Sequence, residues 1–208
     1  MSLAYKISSW NRKRKWQRFV DVFPITPEWR ILDVGFNAVE YSDTDNFLEK
    51  NYPYPKQITA LGIDDPKDFQ KKYPQVKAIQ YDGNIFPFSD TYFDVCWSNA
   101  VIEHVGNFQK QIDFLREIKR TSRHAYITTP NKLFPIEVHT RVPLLHFFPK
   151  SVFDAFLRLI KKEWATGSYM SLLSKKELEL ALKKAGIENF YIYQNKLFGF
   201  TLDFVVVW

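Results

Sequence analysis

Apolar residues along the chain fall into two periodicities that alternate. Short β-branched and aliphatic runs occur at residues 30–34 (RILDV), 58–63 (ITALGI), 76–80 (VKAIQ), 93–98 (FDVCWS) and 124–129 (HAYITT). Each reads as a strand. Between the fourth and fifth lies FQKQIDFLREIKR, with Phe108, Ile112, Leu115 and Ile118 on one stripe, the pattern of a surface helix laid on a sheet. Trp16, Phe19, Val20 and Phe23 recur at helical spacing near the start and predict a first helix packed on the body. Strands that alternate with helices imply a mostly parallel sheet with right-handed crossovers.

The texture changes after Pro130. NKLFPIEVHTRVPLLHFFPK holds three prolines in a short aromatic span and reads as irregular chain. Ser151 then opens a helix with Phe153, Phe156, Leu157 and Ile160 on one face. A further helix starts at Ser174, where Ser174 and Glu177 form a capping-box pattern; Leu178, Leu182 and Ala185 line its inner stripe and Gly186 suits its stop. Two strand-like runs, ENFYIYQ and FTLDFVVVW, close the chain as a hairpin at the sheet edge. The expected fold is α/β: a doubly wound, mostly parallel, seven-stranded sheet with an insertion after strand five. It is organised as a single domain over 1–208, with a basic helical segment at 1–29 and an insertion or lid at 131–173.

A chain of 208 residues with 46% apolar residues can bury one sizeable core. Cys96 is the sole cysteine, so no internal disulfide forms, and a reducing, cytoplasmic setting is expected. MSLAYKISSW lacks a signal-peptide apolar core, and no apolar run approaches the roughly 18 residues of a membrane span. The four histidines, His104, His124, His139 and His146, are scattered, and no zinc cluster is expected. Net charge is +6, and Lys6, Arg12, Lys13, Arg14, Lys15 and Arg18 alone match that excess. The basic run is read as the solvated face of the first helix. Contact with an anionic substrate or surface is the alternative.

Chemistry-bearing residues gather at consecutive strand ends: Asp33-Val34-Gly35, Asp64-Asp65, Asp82-Gly83-Asn84 and Ser98-Asn99. In a doubly wound sheet these ends share one edge, where ligands bind. An acid after the second strand suits the two hydroxyls of a ribose, and one after the third suits the exocyclic amine of adenine. Together they describe an adenosine site. Each also has a plainer reading, Asp33 and Asp65 as caps and Asp82-Gly83 as an ordinary turn. Ile85 and Phe86 could sandwich adenine or belong to the core.

The spans ILDVG, ALGID, YDGNIFPFSDTYFDVCWSNAVIEHV, FLREIKR and AYITTPN resemble those of class I S-adenosylmethionine-dependent methyltransferases, in the small-molecule, type 11-like branch. FPIEVHTRVPLLHFFP resembles the insertion of a subgroup, and the likeness runs from Ile31 to Trp208. The resemblance implies a Rossmann-like methyltransferase fold, S-adenosylmethionine as cofactor and a small-molecule acceptor. It implies cofactor contacts at Asp33, Gly35, Asn37, Asp64, Asp65, Asp82, Gly83, Asn84, Ser98 and Asn99. It also places Glu103 and His104 beside the cleft. The glycine loop departs from the pattern: of the positions matching Gly35, Asn37 and Val39, only the first is glycine. Asparagine adopts a left-handed conformation more readily than most residues, so Asn37 is expected to replace the middle glycine, with Ser42, Asp43 or Asn46 contributing. A branched Val39 denies the close approach that a dinucleotide pyrophosphate requires, whereas S-adenosylmethionine carries no phosphate.

Glu137 and His139 sit two apart in the insertion, so an extended backbone directs both to one side. His139 is the candidate base for a hydroxyl nucleophile and Glu137 its orienting partner, against a purely structural pair. His104 is a further catalytic candidate, and Tyr169 could enter the acceptor pocket. The altered loop motivates a second class, a non-catalytic binding module. The basic first helix motivates a third, a nucleic-acid methyltransferase, but SNAVIEHV stands where the amino-methylating members of that class carry an Asn/Asp-Pro-Pro-aromatic run.

Overall fold

The structure is a computed structural model that describes residues 3–136, 142, 144, 150–163, 166 and 170–208. Its seven strands form one sheet in the order β3-β2-β1-β4-β5-β7-β6. They are β1 (Ile31–Val34), β2 (Ile58–Gly62), β3 (Lys77–Gln80), β4 (Phe93–Asn99), β5 (Ser122–Pro130), β6 (Tyr191–Leu197) and β7 (Phe200–Val207). β1 pairs in parallel with β2 and β4, and β2 with β3, while β6 and β7 are antiparallel. This is the doubly wound, mostly parallel arrangement, with an insertion after β5. No helix among the described residues is long and apolar enough to cross a membrane.

The chain divides into two compact units. The first holds residues 1–99 and 117–126. Its inner strands are continuous apolar runs because both faces are covered; all four residues of β1 are buried. Helix α1 (Leu3–Val22) presents Asn11, Lys15 and Phe19 inward at a spacing of four, and Phe23 just past its end continues the row. Phe19 packs edge-on to Trp97 of β4 and Tyr126 of β5, ring centroids 5.1 and 5.4 Å away, and those two rings stack on each other at 5.0 Å. The Tyr126 hydroxyl donates to the Lys15 carbonyl at 2.7 Å, giving a buried phenol a hydrogen-bond acceptor.

This packing overturns the solvated-face reading of the basic run. Lys6 and Lys13 are exposed, but Lys15 is buried and Arg12, Arg14 and Arg18 are half-buried. The long aliphatic stems of these side chains cover apolar surface, which lets a charge-dense helix dock. Arg14 shows the arrangement, with its guanidinium over the Trp10 ring and donating to Asn11.

The second unit holds residues 100–116 and 127–208. Asn131 bridges Leu173, and the Lys132 N–H donates to the Leu173 carbonyl, so the ends of the insertion are fastened together. Within it, helix α5 (Lys150–Leu159) packs Phe153 and Leu157 on Val142. Helix α6 (Lys175–Lys184) starts at the expected capping box, with Ser174 and Glu177 bonded reciprocally. It ends in a Schellman motif: Gly186 has φ +79°, its N–H reaches the Lys183 carbonyl, and the Ile187 N–H reaches Leu182. The terminal hairpin turns through Phe198 and Gly199, both at positive φ, which makes a two-residue turn of type I′. β6 starts at Tyr191 and ends at Leu197, a shift of three residues from the expected ENFYIYQ run at 188–194.

Candidate functional site

In the first unit the C-terminal ends of β1, β2, β3 and β4 lie along one edge, as parallel strands require. Asp33 stands on β1 in register with Ala60 and Trp97. The chain then turns at Gly35, whose φ of +101° favours glycine, and its N–H donates to the Leu61 carbonyl at 2.8 Å. Beyond the loop, the short helix α2 (Phe47–Asn51) returns Glu49 against Asp33, and both side chains are buried. Both residues line the same cavity. Burial, followed by the adjacent Glu49 charge, pushes Asp33 well above the usual carboxylate range, against an opposing pull from the Arg12 guanidinium. Burial also raises Glu49. Two buried acids side by side cannot both ionise cheaply, which favours one shared proton.

A cavity of about 40 Å³ opens here, walled by Arg12, Asp33, Gly35, Asn37, Trp97 and Asn99 together with the segment from Thr44 to Glu49. Asn46 organises that segment. It takes the left-handed conformation at φ +46° and grips the loop backbone twice, accepting from the Asn37 N–H at 2.8 Å and donating to the Asn37 carbonyl at 3.0 Å. The expected substitution at the middle glycine is thereby corrected. Asn37 is absent from the positive-φ residues, and the left-handed asparagine is Asn46. Asn46 also donates to Glu40, which pairs with Lys50 and Lys72 at 2.8 and 2.6 Å and accepts from the Tyr73 hydroxyl. Burial tends to raise the Glu40 carboxyl, but these donors outweigh it and hold it at about 2. Phe36 turns into the core between Gly62 and Phe69, its ring 4.6 Å from the latter. Side-chain clamps thus do here what successive glycines do by close backbone packing.

The ends of β2 and β3 are open. Asp64 is exposed. Asp65 accepts from the Lys67 N–H and side chain, both at 3.0 Å, and those bonds lower its pKa. Asp82 accepts from the Asn84 amide and side chain in an Asx turn around Gly83, at φ +82°. A Cβ on Gly83 would meet Ile63 at 3.7 Å. Ile63 is 65% exposed and Ile85 71% exposed, leaving two apolar side chains in solvent beside Asp64 and Asp82. Phe86 is 2% exposed and packs on Tyr81, which assigns it to the core.

Of the expected cofactor contacts, Asp33, Gly35, Asn37 and Asn99 meet at the cavity, whereas Asp64, Asp65, Asp82, Gly83 and Asn84 lie along the open edge. Ser98 is buried with its hydroxyl 3.4 Å from the Val34 carbonyl and does not line the cavity. In the second unit, Glu103 is buried and accepts from Thr129 at 3.0 Å, and its carbonyl accepts from the Ser171 N–H. His104, half-buried, ends the short 3₁₀ turn Ile102–His104. Glu137, His139 and Tyr169 fall outside the described residues. Sequence reasoning offered Asn46 as a contributor to the turn and Arg12 as part of the basic run, and it missed Glu49 and Ile63. Arg12 lies beside an inward stripe that continues the i, i+4 spacing of Phe19 and Phe23 back to Lys15 and Asn11.

The donor set fits an S-adenosyl amino acid in kind: buried acids for an ammonium, Arg12 for a carboxylate, Asp64 for a ribose diol, and two isoleucines for a flat base. Comparisons with known proteins agree at the level of fold. The family described as "Methyltransferase domain" matches residues 32–125. A methyltransferase from Thermotoga maritima superposes with a TM-score of 0.62 at 14% identity, over 99% of this chain and 90% of its own. Another from Mesorhizobium loti gives 0.60 at 12% identity, over 93% and 96%. The [4+2]-cyclase SpnF gives 0.54 at 14% identity, over 88% and 58%. Comparison with curated proteins finds no match. The fold is that of the class I S-adenosylmethionine-dependent methyltransferases. At these identities the likeness concerns the fold alone.

Proposed function

We propose that the protein binds S-adenosylmethionine and transfers its methyl group to a small-molecule acceptor. The observation that carries this reading is the acid array along one sheet edge. Asp33 with Glu49 forms a buried anionic site beyond β1, and Asp64 stands open beyond β2. When bound, the cofactor supplies an electrophilic methyl carbon on a sulfonium. The protein's part is placement. Asp33 and Arg12 hold the two ends of the amino-acid portion, Asp64 accepts from the ribose hydroxyls, and Ile63 and Ile85 flank the base. Fixing the cofactor at both ends orients the methyl for in-line attack, and such placement supplies much of the rate in transfers of this kind.

The acceptor class favoured from the sequence is an oxygen nucleophile, with His139 the candidate base and Glu137 its orienting partner, against a purely structural pair. Calorimetry of the full chain with S-adenosylmethionine, S-adenosylhomocysteine and NAD tests the reading. Binding of the first two without comparable binding of NAD is expected. Tight NAD binding, or no binding of either adenosyl compound, overturns it. That SpnF, a cyclase, shares the fold makes methyl turnover a separate measurement, made by following label from the methyl group into candidate acceptors.

A further inference from the structure

The Asp33 carboxyl has a buried partner that the motif does not call for. Glu49 comes from the stretch FNAVEYSDTDNFLEK, where the chain departs from the usual glycine turn. It is 7% exposed, and neither of its side-chain oxygens accepts a hydrogen bond from a donor among the described residues. Both Glu49 and Asp33 line the 40 Å³ cavity. An anionic side chain buried in this way costs several kcal/mol in general, unless a proton or a cation answers it. On the measure by which one water needs about 10–15 Å³, the cavity has room for a group of ammonium size. An ammonium group meets both the size and the charge.

The geometry points to Glu49 as a second carboxylate for the ligand's ammonium group, so that ligand entry expels one proton from the Asp33–Glu49 pair to solvent. This rests on the reading that the site takes an S-adenosyl amino acid. The charged groups around the pair are consistent with one negative charge in its free state. Arg12 from α1 acts on Asp33, while Lys50 from α2 and Glu40 from the loop act on Glu49 with opposite signs. Asp45 lines the same cavity, and the titratable group that β4 places beside Asp33 is the buried Cys96 thiol, which burial and then the Asp33 charge push up. When an ammonium enters, both carboxylates have a cation to face. The O–H bond of the shared acid breaks, its proton passes to buffer, and the ligand keeps its own.

The test is calorimetric titration of the full chain with S-adenosylhomocysteine in buffers of different ionisation enthalpy. The pH runs from about 6 to 7.5, below the α-ammonium's own range of about 7.7–8.0. The expected result is release approaching one proton per ligand, with Kd falling by up to about tenfold per pH unit. The control ligand is 5′-methylthioadenosine, which lacks the amino-acid portion; its binding should release no proton and show no such pH dependence. Glu49→Gln should abolish the release and weaken S-adenosylhomocysteine about tenfold or more, leaving 5′-methylthioadenosine unchanged. Binding of S-adenosylhomocysteine to the wild type without proton release overturns the inference and leaves the cofactor reading intact, as does a Glu49→Gln variant that retains both release and affinity. No binding at all overturns both. If Glu49→Gln does not fold, the comparison of the two ligands on the wild type decides the matter alone.

Discussion

Replacing Gly62 with alanine places a methyl group where the structure has no room. A Cβ built on Gly62 would lie 2.6, 2.8 and 3.1 Å from the Cε1, Cδ1 and Cζ atoms of Phe36. Gly62 is the last residue of β2 and does not have positive φ, so alanine meets no backbone objection and the effect isolates packing. Phe36 cannot swing aside, being 4% exposed and already tilted onto Phe69, which leans on Tyr73 at 5.0 Å. Overpacking of this kind costs about 1–3 kcal/mol, and removing a glycine from a strand returns roughly 0.5–1. The net expectation is a loss of up to about 2.5 kcal/mol. For a chain of this length that lowers Tm by about 2–4 °C per kcal/mol. Urea and thermal denaturation of Gly62→Ala, Phe36→Leu and the double variant make a cycle. Trimming the ring should relieve the clash, with a coupling of about 0.5–3 kcal/mol. A Gly62→Ala protein as stable as the wild type, with no coupling to position 36, would refute the argument. Because Phe36 lies between Gly35 and Asn37, the same variant should also weaken binding of S-adenosylhomocysteine.

Three further outcomes are expected. Asp64→Ala removes an exposed acceptor and should weaken S-adenosylhomocysteine by about 1–3 kcal/mol without shifting Tm; unchanged affinity removes Asp64 from the ribose. The Glu40 carboxyl is held at about 2, below its unfolded value near 4.3, so it contributes stability above that unfolded value that is lost as pH falls toward 2. Glu40→Gln should flatten this limb of the urea midpoint against pH, by on the order of 1–3 kcal/mol, and an unaltered limb counts against the hub. Asn46→Gly keeps the left-handed backbone but loses the side-chain bonds, whereas Asn46→Ala loses both; Asn46→Ala should be the less stable in urea, and equal midpoints would show that the conformation costs nothing.

The strands were legible where burial is two-sided. β1, β2 and β4 are largely apolar runs of 4, 5 and 7 residues, too short for buried helices of ordinary length. Helix α6 was legible from chemistry, because Ser174, Glu177 and Gly186 spell out both of its ends. The failures share a cause, a side chain whose role is set by partners distant in the sequence. Arg12 and Lys15 look solvated in a charge run until their stems find a surface. Glu49 sits in a five-residue helix, too short for periodicity to assign a face. β6 was misplaced because it is an edge strand with little alternation, and its turn puts Phe198 at φ +48°, where statistics favour asparagine or glycine.

The hydrogen bond from Tyr126 to the Lys15 carbonyl spans 111 residues of sequence. On the ribosome, α1 emerges well ahead of Trp97 and Tyr126, against which Phe19 packs. At about 5–20 residues per second, that separation corresponds to roughly 6–22 s of synthesis. Throughout that interval the aromatic stripe from Trp16 to Phe23 has no sheet to cover it, and the cations interspersed along the same helix keep the nascent segment soluble. Charges that the finished protein half-buries therefore serve first in the unfinished one, and neutral replacements at Arg14 or Arg18 should lower the yield of folded chain during translation more than the equilibrium stability of the purified protein.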